Sequence, residues 1–414
     1  MEGHLAYPLA ASQERGHAHA AGFLRLNDGR AFSAPMALRR LLQGMAAAGI
    51  VTLVAGAFLE PQRTSANLLL AGSYVLGLSL AGLVFVALHY VCGASWSTAF
   101  RRVPEAMAAL LPWAAAPFGL ILLISPWLYP WWESTHGGQP SMWFKELWLS
   151  PAFFVARSLL YLAAWIAFAL AIVRVSRRQD ADGDERHTRK NARLSAGFLV
   201  VFGLTFWLAG CDWIMSLEPH WYSTMFGVYQ FAGLLLSGLA MITILVIWLD
   251  KLGPLRGVLN EEHLHDLGKL LFAFSTFWMY IWFCQYMLIW YANIPEETAH
   301  YVRRLHGFWE PVFLLNFLLN WAVPFLVLLH VPAKRSRGML LKVCWVILVG
   351  RWVDLYLMIL PPIAGEQPVF GVWEIGLMLG AAGLFFLALF HVLPKANAVP
   401  VRDPFLAESL TYHN

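Results

Sequence analysis

The stretch from Leu270 to Ala292 constrains this chain more than any other, because it runs 23 residues without a charge. As an α-helix it extends about 34 Å at roughly 1.5 Å per residue, enough to cross a hydrocarbon core of about 30 Å. Ten of its residues are Phe, Trp or Tyr, a higher density than lipid contact requires. We therefore predict a transmembrane helix that lies inside a bundle and packs ring against ring.

The composition of the whole chain also indicates a membrane protein, since 59% of its 414 residues are hydrophobic and 13% are charged. Soluble globular proteins have roughly 45–50% apolar and 25% charged residues. We therefore expect an all-α polytopic membrane protein that lies in the lipid bilayer and does not bind nucleic acid. The four cysteines stand alone in hydrophobic runs without CxxC or CxxCH spacing. The sequence therefore predicts no metal, covalent haem or Fe–S cluster in this chain.

Ten apolar segments predict ten transmembrane helices. They lie at roughly 42–59, 67–92, 105–130, 151–173, 195–216, 225–249, 270–292, 309–331, 339–360 and 370–393. Pro112, Pro117 and Pro126 are expected to interrupt the third. Residues 1–41 are expected to form an N-terminal arm, 42–393 a membrane domain divided by the charged loop 174–194, and 394–414 a polar tail.

The distribution of Lys and Arg predicts the orientation of these helices. Of the 29 basic residues, 23 fall in the six segments that share one side when there are ten spans, while only Arg63, Lys145, Arg303 and Arg304 fall in the opposite loops. Cytoplasmic loops carry an excess of Lys and Arg. We therefore expect both termini to be cytoplasmic.

Charges inside the predicted spans are the main candidates for function, because each costs a few kcal/mol or more in the membrane. They are Arg157, Asp212, Arg351, Asp354 and Glu374. Arg351 and Asp354 are three residues apart and share a helical face, so they can pair. Two interpretations stay open: a structural ion pair that neutralises itself, or a proton relay built from tuned carboxylates.

Asp212 lies near the outer end of its helix and is followed by Glu218 and His220. These groups can form a proton exit path, or Asp212 can cap the interface. His89, His330 and His391 lie near cytoplasmic helix ends. Haem ligation would need two of them to face each other, whereas single histidines at helix ends are more typical of interfacial groups.

Four segments carry a resemblance to a known family. They are CDWIMSLEPHWYSTMFGVY from Cys211, HDLGKLLFAFSTFWMYIWFCQYMLIWYANIPEET from His265, GRWVDLY from Gly350 and PFLAESL in the tail. The chain resembles the membrane proteins of bacterial alternative complex III, which are relatives of the polysulfide-reductase (NrfD-like) membrane subunits. Of the two paralogues in that complex, it is most similar to the F-type member.

The resemblance implies a ten-helix subunit of the bacterial inner membrane, with two four-helix bundles (helices 2–5 and 6–9) and peripheral helices 1 and 10. It implies a complex that oxidises quinol and passes electrons through an Fe–S subunit and haem c subunits toward a cytochrome or a terminal oxidase. This chain would be a non-redox subunit that supports the complex and conducts protons through Asp212, Arg351 and Asp354.

The C-type paralogue in that complex holds the quinol, with histidines in its early helices. Here the second span begins ANLLLAGSYVLGLSL and the third ends LLISPWLYPWW, without histidine, which favours the F-type member. Three alternatives remain. The chain can bind quinol itself, with Gln285 as a hydrogen-bonding group; it can be a secondary transporter, which also uses intramembrane charges; or it can be a structural scaffold.

Overall fold

A computed structural model describes residues 35–124, 128–132 and 143–412, and all regular secondary structure within them is helical. We number the long helices in chain order. They are α1 (Met36–Leu59), α2 (Pro61–Cys92), α3 (Arg102–Ala108, Leu111–Ala114 and Ala116–Ile124), α4 (Pro151–Asp182), α5 (Arg186–Trp213), α6 (Phe226–Leu252), α7 (Glu261–Ala292), α8 (Glu310–Phe317, Leu318–Ala322 and Val323–Leu328), α9 (Arg337–Ile359) and α10 (Val372–Val392).

Nine of the helices in the described part of the chain are long and apolar enough to cross a membrane, which is what a multi-pass membrane protein requires. The remaining predicted span, the ninth (339–360), forms α9, a helix of 23 residues. Because Lys342, Arg351 and Asp354 lie within it, every 18-residue window of α9 contains at least three charged residues. Its charge therefore sets it apart from the other nine.

Proline and glycine positions explain several helix boundaries. Only Glu60 separates the end of α1 from Pro61, which begins α2, and Gly93 ends α2 in the left-handed conformation at φ 62°. Pro112 and Pro117 lie at breaks in α3, as predicted, because proline donates no backbone hydrogen bond. Pro126 and the arm before residue 35 lie outside the described residues, and α1 already includes residues 36–41.

The prediction that the aromatic helix α7 lies inside a bundle and packs ring against ring is confirmed for one face of the helix only. In its most apolar 18-residue window 33% of the residues are buried, against 94% in α6. Trp278 and Trp282 pack inward, whereas Trp290 and Tyr291 are exposed. Ring density did not distinguish the two faces, because aromatic side chains suit both a lipid surface and a helix contact. The central helix is α6.

The first and last long helices pack against each other through glycine. A Cβ atom on Gly49 of α1 would lie 2.2 Å from the Cα atom of Gly380 on α10, so only glycine permits this approach. Such small-residue contacts let membrane helices pack closely. Besides α10, α1 contacts α2.

The tail after α10 packs across the basic end of the bundle. The Asp403 carboxylate forms a salt bridge with Arg101 beside α3. The Ser409 hydroxyl donates to the carbonyl of Trp96 at 2.6 Å, and the Tyr412 hydroxyl donates to Asp266 of α7 at 2.8 Å. The tail therefore joins the start of α3 to the start of α7.

Candidate functional site

Four helices converge on the carboxylate of Asp354. The residue is fully buried at 0% exposure, and its Oδ2 atom accepts from the Arg351 Nη1 atom on the same helix at 2.5 Å. The pairing expected from the three-residue spacing is thus present. Further donors come from other helices: Tyr229 Oη of α6, Asn316 Nδ2 of α8 at 3.2 Å and Trp278 Nε1 of α7 at 3.4 Å.

Helix α6 forms the surface against which the Arg351 guanidinium lies. Gln230 accepts from Arg351 Nη2 at 2.9 Å. A Cβ atom on Gly233 would lie 2.3 Å from Arg351 Nη1 and 3.2 Å from Asp354 Oδ2. The absence of a side chain at this position is therefore what lets the ion pair contact the α6 backbone.

Helix α8 contributes through a π-helical segment, Leu318–Ala322, in its middle. Such segments are rare and frequently occur at functional sites. Asn320 donates to the Asn316 side-chain oxygen at 2.7 Å, and its own carbonyl accepts from Ser275 of α7 at 2.9 Å. Asn320 also packs on α9, where a Cβ atom on Gly350 would lie 2.9 Å from its Oδ1 atom. The two asparagines extend the polar cluster along α8.

A small cavity extends from Asp354 toward the end of the bundle where the helix Pro295–Leu305 lies. Its volume is about 30 Å³, and Asp354, Gln285, His300 and Arg304 are among the residues that line it. Gln285 is 3% exposed, and its Nε2 atom has no protein hydrogen-bond partner among the described residues. A water molecule needs at least about 10–15 Å³ and polar partners. The cavity is therefore large enough for one or two water molecules.

The far side of the cavity is formed by an ion cluster outside the spans. Arg304 and His300 lie on the helix Pro295–Leu305, and Glu218 follows α5. Arg304 Nη2 donates to Glu218 Oε1 at 2.6 Å, and His300 Nδ1 lies 3.2 Å from each Glu218 oxygen. The His300 ring stacks on Trp221 with 3.8 Å between ring centroids.

The electrostatics of this cluster fix the charge of each member. Burial alone would raise the pKa of Glu218, but Arg304 and the hydrogen bond from His300 hold it far below its ordinary value of 4.5. Burial lowers the pKa of His300 to about 4, and Arg304 acts in the same direction. At neutral pH, Glu218 is therefore a carboxylate and His300 a neutral imidazole that donates to it.

A second buried ion pair joins α4 and α5. Two nitrogens of Arg157 donate to the two Asp212 oxygens at 2.9 and 3.1 Å. Trp148 and Tyr161 donate to the same carboxylate at 2.9 and 3.2 Å. The guanidinium lies 4.0 Å from the Trp148 ring centroid, within range of a cation–π contact. Asp212 is thus supplied with four hydrogen bonds.

The structure separates the remaining predicted site residues. Glu374 at the start of α10 forms a bidentate salt bridge with Arg63, at 2.6 and 2.8 Å, and accepts from Asn67 at 2.9 Å. Glu218 does not join Asp212, because it turns to Arg304 instead. His220 is exposed. The predicted group after Asp212 is therefore divided between two clusters.

Sequence reasoning missed several members of the Asp354 site. Arg304 was assigned only to an outer loop, and neither His300 nor Tyr229 was singled out. Asn316 and Asn320 carried a usable signal, because two amides four residues apart in an apolar helix face the same side. Within the described residues no group of three or more His, Cys, Asp or Glu side chains is placed to hold a metal ion.

Comparison with known proteins identifies no family, so the function has to be argued from the residues described above. No protein-family model matches the chain, and no curated protein matches it.

Proposed function

We propose that this chain is a non-redox membrane subunit of a bacterial quinol-oxidising respiratory complex and that it conducts protons through α6 to α9. In this proposal its ten helices form two four-helix bundles, helices 2–5 and 6–9, with both termini in the cytoplasm. Its partners are an Fe–S subunit, haem c subunits, a paralogous quinol-binding membrane subunit and, where present, a terminal oxidase. The resemblance of the sequence to the membrane proteins of bacterial alternative complex III supports membership of such a complex.

The observation that supports conduction is the continuity of polar groups from Asp354 to the outer end. Asn320 and Asn316 lead to Asp354, and the water-sized cavity beside Gln285 leads on to Arg304 and His300. Proton transfer requires groups within hydrogen-bond reach or separated by one water. Intramembrane carboxylates in such chains are typical of proton relays.

The size of the cavity disfavours the two ligand-binding alternatives at this place. Pockets for small molecules are typically about 300–1,000 Å³, whereas this one is about 30 Å³. A quinone ring or a transported solute does not fit between Gln285 and Asp354 without movement of the helices. Water does.

The first test is the composition of the complex. We expect Fe–S and haem c polypeptides, and their visible spectrum, to accompany the chain when it is purified from its native membrane in mild detergent. Purification of the chain alone and without colour would refute the assignment to a respiratory complex.

The second test replaces Asp354 by Asn in that complex, with Asp182→Asn as control because Asp182 is an exposed carboxylate paired with His187. We expect Asp354→Asn to lower the proton-to-electron ratio while quinol oxidation continues, and Asp182→Asn to change neither. An unchanged ratio in Asp354→Asn would contradict the relay. Loss of quinol oxidation through disassembly of the complex would favour a structural role instead.

A further inference from the structure

A basic pocket lies between the end of α6 and the start of α9. Its volume is about 590 Å³, and it is lined by Asp250, Lys251, Arg256 and Arg337, with Leu259 and Leu341 among its apolar residues. Three cations face one carboxylate, which gives the pocket a net charge of +2 at neutral pH. The function proposed above uses none of these groups.

Two cations of this pocket, Lys251 and Arg256, form no salt bridge with any other described residue. Asp250 forms a salt bridge with Arg337, whose Nη1 atom lies 3.0 Å from the Asp250 carboxylate. Lys251 and Arg256 are exposed. A basic surface with one pair already satisfied is complementary to an additional anion.

An apolar groove begins one helical turn farther along α9, between α9, α2 and α10. It has a volume of about 470 Å³ and is lined mainly by apolar side chains of α2, α9 and α10, such as Trp345 and Val349 of α9. Helix α6 contributes Met241, and Glu374 of α10 is the one charged residue of the lining. Trp345 follows Leu341 of the basic pocket by four residues, so it lies on the same face of α9. Cations and groove therefore form one amphipathic surface.

The dimensions of this surface match one leaflet of a membrane. Arg337 and Val349 are 12 residues apart on α9, which corresponds to about 18 Å along the axis. Half of a hydrocarbon core is about 15 Å. A lipid with its charged group at Arg337 would therefore place the end of an acyl chain in the groove, because Trp345, the first groove residue of α9, lies about 12 Å along the axis.

We propose that this surface is a binding site for an anionic phospholipid, with the phosphate between Lys251 and Arg256 and one acyl chain running along α9 into the groove. Basic pockets between membrane helices at the cytoplasmic side suit such headgroups. The basic pocket lies at the end of the bundle where Lys and Arg are concentrated. The site needs no redox partner, so it is independent of the respiratory role.

The test uses the full-length chain, with its complex if they purify together, after removal of bound lipid. We expect phosphatidylglycerol to raise the melting temperature and to remain bound in native mass spectrometry, in preference to phosphatidylcholine. Inorganic phosphate at the same concentration is expected to have no such effect, because it lacks the acyl chain. Equal effects of the two lipids, or a full effect of phosphate alone, would overturn the proposal.

A double variant, Lys251→Gln with Arg256→Gln, removes both free cations and leaves the Asp250–Arg337 pair in place. We expect it to weaken phosphatidylglycerol binding by about 25-fold, on the basis of about fivefold for each cation. The matched control is Arg39→Gln with Arg40→Gln, two exposed arginines of α1. An equal loss in the control would show a general surface effect and overturn the site; if the double variant does not fold, the comparison of the two lipids decides.

Discussion

Replacing Gly233 by Ala is the sharpest test of the packing around Asp354. The new Cβ atom would lie 2.3 Å from Arg351 Nη1, whereas non-bonded heavy atoms prefer about 3.5–4.0 Å. The guanidinium must therefore move by about 1 Å or more. Its 2.5 Å hydrogen bond to Asp354 then lengthens to about 3.5 Å, beyond the normal hydrogen-bond range.

The expected cost follows from two opposing terms. A hydrogen bond to a charged group contributes about 1.5–3 kcal/mol to stability. Alanine favours a helix over glycine by about 1 kcal/mol. We therefore expect Gly233→Ala to lower the free energy of unfolding by about 0.5–2 kcal/mol.

The control is Gly77→Ala in α2, because a Cβ atom on Gly77 would meet nothing within 4 Å. Both variants gain the same helix propensity, so the difference between them isolates the displaced ion pair. The measurement is unfolding by dodecyl sulfate in mixed micelles, followed by circular dichroism. A Gly233→Ala variant as stable as Gly77→Ala would refute the close contact between α6 and Arg351.

Two further predictions concern the other charge clusters. Arg157→Met leaves the Asp212 carboxylate buried without its counter-charge and is expected to lower the free energy of unfolding by about 3–5 kcal/mol. Adding Asp212→Leu should recover much of this loss in a double-mutant cycle. Purely additive effects of the two substitutions would contradict the coupling. Because the pKa of His300 falls from 6.5 to about 4 on folding, the unfolded state binds its proton first, and stability should decline as pH falls from 6.5 to about 4. In His300→Gln, the free energy of unfolding should no longer show this decline between pH 6.5 and about 4. A pH dependence equal to that of the wild type would contradict the buried neutral imidazole. The stabilisation from Glu218 should be lost only below pH 4.5, because its pKa is lowered.

The length of the apolar segments and the spacing of neighbouring residues predicted much of the fold and part of the site. Uncharged runs predicted the long helices, and the spacing of Arg351 and Asp354 predicted their shared face. The pairing of Arg157 with Asp212 was not predictable, because it depends on the rotation of two helices that are apolar on most sides. The contribution of Arg304 was missed for a related reason: it reaches Glu218 and α9 only through tertiary packing, and its sequence position suggests an outer loop.

The contact between Gly49 and Gly380 has a consequence for the order of assembly. About 330 residues separate the two glycines, and synthesis proceeds at about 5–20 residues per second. Helix α1 therefore spends on the order of 15–65 s in the membrane before its glycine partner has been made. During that interval Gly49 has no Gly380 to meet, so this contact can form only after the helices between the two glycines have been made.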